Sequence, residues 1–160
     1  MAKNMALAWE IYDHIEMLNK HTITGPAWDQ EYWVNVLDGT AGLPDAEDVI
    51  PAGAQEANRW RWEKTKVVDP NICGTAFCFA GHVVNFTVDK PLFLVDEDGT
   101  GADFFDLDTG EIRDIARAAK EALDLTDEEA DKLFAGSNSL GRLRDLLEEF
   151  EEANELAPVS

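Results

Sequence analysis

The segment that most constrains this fold runs from residue 76 to 87. Read as a helix, its Ala76, Phe77, Cys78, Phe79, Ala80, Val83, Val84 and Phe86 leave no polar face. A helix that is apolar all round must be enclosed by other elements. The segment therefore predicts a buried central helix, with Thr75 as its N-cap. Gly81 inside it costs about 1 kcal/mol relative to alanine, which predicts a second backbone packed close at that point.

The remaining elements read as wrapping. Leu7, Ile11, Ile15 and Leu18 recur at helical spacing, so residues 2–20 predict an amphipathic helix. Thr22 to Pro26 breaks it. Residues 28–34 predict a short helix, 38–53 a long surface loop and 54–66 another short helix. Residues 91–95 and 102–107 predict two strands of one hairpin. Three helices follow: one over about 111–123, one opened by the Thr126–Glu129 capping box and closed at Gly136, and one over 139–153. The expected fold is mainly α. It is a single compact helical domain over residues 1–154, with one small hairpin at about 91–107 and a frayed tail at 155–160.

Charge limits the partners. The chain holds 33 acidic against 13 basic residues, a formal net charge of −20. Residues 1–90 carry 13 acids and 7 bases, and 91–160 carry 20 and 6. Such a surface repels nucleic acid and anionic membrane and attracts basic proteins. No apolar run approaches the roughly 20 residues of a membrane span. Met1-Ala2-Lys3-Asn4 leads straight into the first helix without the features of a signal peptide, which predicts a cytoplasmic protein with reduced thiols.

The chemistry-bearing residues cluster in one run, Cys73-Gly74-Thr75-Ala76-Phe77-Cys78-Phe79-Ala80-Gly81-His82. Cys73, Cys78 and His82 are candidate zinc ligands, with Cys78 and His82 one helical turn apart. A fourth ligand would have to come from His14, His21 or a carboxylate. No second close pair of ligands exists, and buried packing is the commoner role of such cysteines; the expectation is no cofactor. Cys78 near a helix start is also a candidate thiolate nucleophile. No histidine lies downstream of His82, however, and Phe77 and Phe79 flank the thiol, so no catalytic residue is assigned and the expected protein is not an enzyme. Asp96, Asp98 and Thr100 imitate the start of a calcium loop, but its twelfth position is Leu107 rather than glutamate.

Two sets of residues are candidate partner contacts. Trp60 and Trp62, interleaved with Arg59 and Arg61, cannot share one helix face, so one of them is an exposed anchor. Glu148, Glu149, Glu151 and Glu152 form a dense acidic face.

Three blocks carry a resemblance: Trp28-Asp29-Gln30-Glu31-Tyr32-Trp33, the run 73–82, and Leu133-Phe134-Ala135-Gly136-Ser137-Asn138-Ser139-Leu140. Together they resemble a group of small acidic proteins of actinobacteria and their bacteriophages, over most of residues 5–150. Asp124-Leu125 departs from the Gly-Leu usual there, which bears on a helix C-cap. The resemblance implies a phage origin and no particular activity. The expected function is that of a non-enzymatic cytosolic accessory protein that binds a host protein. The alternatives are an acidic DNA mimic that inhibits a DNA-binding protein, and a metal-stabilised domain built on Cys73, Cys78 and His82.

Overall fold

The computed structural model describes residues 3–20, 27–36, 40, 42–53, 65–69 and 75–156, with side chains to residue 153. The expected break at Thr22 to Pro26, residues 54–64 of the expected 54–66 helix with Trp60 and Trp62, His21, Cys73 and the tail beyond residue 156 lie outside the described residues; Lys66, at the end of that expected helix, is strand.

The fold is mixed α/β, not mainly α with one hairpin. Six helices are described: α1 (Met5–Asn19), α2 (Ala46–Val49), α3 (Phe79–Thr87), α4 (Ile115–Leu123), α5 (Asp127–Leu133) and α6 (Leu140–Leu156). The strands are β1 (Ala27–Trp28), β2 (Val34–Val36), β3 (Lys66–Val68), β4 (Thr75–Phe77), β5 (Leu92–Val95), β6 (Thr100–Gly101), β7 (Asp103–Asp106) and β8 (Glu111–Asp114). They form two four-stranded sheets, β1-β4-β2-β6 and β3-β5-β7-β8. Among the described residues only the β1–β4 pairing is parallel.

Each misassignment has a local cause. Thr75, Ala76 and Phe77 are all buried, and β4 has both edges paired because it lies between β1 and β2. Such a strand reads as a continuous apolar run, which periodicity cannot tell from a buried helix. The helix begins one residue after Cys78, which is its N-cap in place of Thr75. Residues 28–34 span the end of β1, a turn and the start of β2, not a helix; the Asp29 amide donates to Phe77 C=O at 2.8 Å. Residues 111–114 are strand, and Asp114 then caps α4 through the Arg117 amide at 2.9 Å. Within the expected 38–53 loop, α2 buries Ala46 and its C-cap Ile50 against Val67, Leu94 and Phe105.

Other expectations match the structure. α1 buries Ile11, Ile15 and Leu18. The Thr126–Glu129 capping box is formed in both directions. α3 is enclosed by α1, α4 and the sheets through Val84, and its last turn surfaces at Phe86. Asp124 caps α4 in the left-handed conformation at φ 54°, so the usual glycine role there is filled by aspartate.

Candidate functional site

The three sequence blocks converge on one side chain, Gln30, which is 5% exposed. Its Oε1 accepts from Trp28 Nε1 at 3.0 Å and from the Phe79 amide at 3.0 Å. Its Nε2 donates to Leu133 C=O at 3.2 Å and to Ala135 C=O at 3.1 Å. A primary amide has two acceptor and two donor positions, and all four are filled. Asn138 Nδ2 closes the same turn by donating to Lys132 C=O at 2.7 Å and Leu133 C=O at 3.1 Å. The Cys78 amide donates to Tyr32 C=O at 2.8 Å. The blocks thus build a junction that ties sheet, α3 and the α5–α6 turn together.

Within it the two reactive groups are muted. Cys78 is 1% exposed, and burial pushes its thiol up to about 12 despite nearby helix amides, including Gly81 N–H at 3.5 Å from Sγ. Desolvation therefore overrides the helix N-terminus, and Cys78 stays a thiol rather than a nucleophilic thiolate. His82 Nε2 lies 2.9 Å from Ala27 C=O, which can only accept, so Nε2 carries the hydrogen. Among the described residues no group of three His, Cys, Asp or Glu stands together to hold a metal ion. Cys73, the third candidate zinc ligand, lies outside them.

Burial sets His82 against acid. Desolvation, opposed by the Ala27 hydrogen bond, lowers its pKa from 6.5 to about 4. Unfolded chains take up that proton from about pH 6.5 downward and the folded one does not, so stability is lost as pH falls through this window. The loss amounts to about 3 kcal/mol. Asp103 works the other way. It is half-buried opposite Asp114 in the β7–β8 register, and burial with that neighbouring charge raises it to about 6. Its penalty is present above pH 6 and relieved toward pH 4, by an order of 1 kcal/mol after solvent screening. Denaturant titrations at pH 7 and pH 4.5 should show His82→Gln flattening the acid loss and Asp103→Asn steepening it. A His82→Gln profile parallel to wild type would remove His82 as the cause.

A different surface carries charge. Along α6, Leu143, Leu146, Leu147 and Phe150 are buried while Glu148, Glu149 and Glu152 are exposed. Trp9 on α1 joins them: its indole N–H donates to the Glu151 carboxylate across 142 positions of sequence. Trp9, Glu148, Glu151 and Glu152 line an open hollow of about 530 Å³. No family model, curated protein or solved structure matches the chain. What this hollow can do follows from its own groups: an arginine or lysine entering it meets carboxylates and an indole ring together.

A larger hollow of about 590 Å³ has Trp33 and Phe134 in its lining, but its Lys120 and Asp127 pair with each other. The acidic candidates Glu148, Glu151 and Glu152 are thus brought together, with Glu149 exposed on the same helix. Trp9 and Gln30 are not among the residues the sequence pattern singles out. Trp9 shows as amphipathic only within α1, and a buried glutamine has no sequence signature at all.

Proposed function

We propose that this chain is a non-enzymatic accessory protein that binds a basic protein of an actinobacterial host cell, docking through α6 and Trp9. The observation that carries the proposal is the Trp9 indole set among Glu148, Glu151 and Glu152. The net charge of −20 adds long-range attraction for a basic partner. The muted Cys78 and His82 support a non-enzymatic role, and the resemblance of the three blocks supports a phage origin. Trp60 and Trp62 remain candidate contacts outside the described residues. Among the described residues no helix is long and apolar enough to cross a membrane.

DNA mimicry is a second form of the same binding. Asp145, Glu148, Glu149, Glu151 and Glu152 fall within about 10 Å of helix axis, roughly one carboxylate per 2 Å against one phosphate per about 1.7 Å in duplex DNA, with Glu148 also 3.4 Å from Arg144 Nε.

Titrating the protein with an arginine-rich peptide tests the site directly. Wild-type protein should bind with a change in tryptophan emission, and affinity should fall as salt rises. Replacing Glu148, Glu151 and Glu152 together by glutamine should weaken binding at least tenfold, and Trp9→Phe should remove most of the emission change. Equal affinity for the triple variant would exclude this face. A basic host protein that wild type retains, the triple variant loses and duplex DNA displaces would establish mimicry.

A further inference from the structure

We infer that the free edge of β8 is a self-association site, pairing antiparallel with β8 of a second copy around a two-fold axis at Ile112. The β3–β5–β7–β8 sheet has two ends, treated differently. At β3, Val67 N–H donates to Pro44 C=O at 3.0 Å and Ala46 N–H to Thr65 C=O at 2.9 Å, so residues 44–46 cover that edge. Among the described residues β8 pairs with β7 alone. A groove of about 340 Å³ runs along it, lined on the far side by Arg117, Ala118 and Glu121 of α4.

The hydrogen-bond phase of β8 follows from one bond. Ile115 N–H donates to Ala102 C=O at 2.9 Å, one step beyond the Asp103–Asp114 pair. Bonded and non-bonded pairs alternate along an antiparallel ladder. Phe104–Arg113 and Asp106–Glu111 are therefore the bonded pairs. Ile112 turns its N–H and C=O, and Asp114 its N–H, toward the open edge. Unpaired strand edges of this kind are templates for another strand.

Charge then selects the register and the occupant. With the axis on Ile112, the two Ile112 residues exchange both backbone hydrogen bonds. Glu111 of each copy then faces Arg113 of the other, on one sheet face and at direct cross-strand distance. Moving the axis to Glu111 sets glutamate against glutamate, and moving it to Arg113 sets arginine against arginine. Arg113 is already held 3.0 Å from Asp106 Oδ2 and over the Phe104 ring, so its guanidinium is fixed beside the edge. An edge charged merely to repel other strands would not be self-complementary in one register. A second copy is the partner that always supplies that complement.

Sedimentation and hydrogen exchange over a concentration series test this. The mass should rise from the 17.8 kDa of one chain toward twice that value, with the Ile112 and Asp114 amides exchanging more slowly as it rises. Added salt should strengthen the association severalfold, because it screens repulsion between two chains of −20; binding of a basic partner responds oppositely. Glu111→Arg, which sets arginine against arginine, should weaken the dimer at least tenfold with the far-UV spectrum and unfolding midpoint unchanged. Ile112→Pro, which removes the outward N–H together with the side chain packed on the Phe105 cluster, should also weaken the dimer at least tenfold, with a lower unfolding midpoint. A single-chain mass at every concentration up to about 1 mM, or a dimer that both variants leave intact, would overturn the inference.

Discussion

Gln30→Leu should destabilise the protein by about 4 kcal/mol, more than any other single polar-to-apolar change among the described residues. Leucine has nearly the volume of glutamine, so the loss is one of hydrogen bonding rather than space. The Phe79 amide is the most exposed to this loss. It is buried, it belongs to the first turn of α3 and it has no intrahelical acceptor. Leu133 C=O keeps the Asn138 bond, while Ala135 C=O and Trp28 Nε1 are only part-buried. One fully stranded donor and three weakened partners, at about 1–3 kcal/mol for each buried group, account for the estimate. Urea unfolding with an unchanged m-value measures it. Gln30→Glu separates donor from acceptor: it keeps an acceptor for Phe79 but aims carboxylate oxygens at Leu133 and Ala135 C=O. That carboxyl would titrate high in the folded state, so the variant should regain stability as pH falls, where Gln30→Leu does not. A change under 1 kcal/mol for Gln30→Leu would mean that the junction does not hold these elements together.

What was legible in the sequence follows the range of the interaction that decides each element. α1, the Thr126–Glu129 capping box and the buried face of α6 are set by neighbours three or four residues away, and their patterns announce them. β4 is set by β1 and β2, which lie some 50 and 40 positions earlier in the chain. Its Thr75-Ala76-Phe77 carries no mark of those partners, only apolarity, and reads as more of α3. The same holds for residues 28–33, whose strand and turn exist because Phe77 C=O and Cys78 N–H accept and donate there. The acidic face of α6 was visible as composition. Its pairing with Trp9 was not, because the helices meet only after the chain has folded. The run 73–82 reads as chemistry because it holds a thiol and an imidazole, and burial turns Cys78 and His82 into packing groups. The one long-range contact the sequence did reveal was at Gly81, where a helix accepts an unfavourable residue without a local reason.

Gly81→Ala should therefore lower stability by about 3 kcal/mol, although alanine is the better helix former by about 1 kcal/mol. An added Cβ would stand 2.8 Å from Cβ and Cδ1 of Phe77 and closer still to the Trp33 carbonyl oxygen. Neither neighbour can swing aside. Phe77 is 0% exposed, its ring tilted against Phe93 with centroids 4.6 Å apart, and Trp33 C=O belongs to the backbone leading into β2. Relief requires α3 to move away from the 31–33 segment, which stretches the Cys78 N–H to Tyr32 C=O bond and disturbs the packing of Phe77. Overpacking of this kind typically costs 1–3 kcal/mol beyond any propensity gain, and more where backbone is the obstacle. For a chain of this size the midpoint should fall by roughly 6–12 °C. Gly136→Ala is the control in the same junction: its nearest contacts would be 3.5 Å from Gln30 O and Glu31 Cα, ordinary packing distances, and it should shift stability by under about 0.5 kcal/mol. Equal effects at the two glycines would show that the close approach at α3 yields freely; a large effect at Gly81 alone ties the sequence block around it to the fit of one helix against one carbonyl.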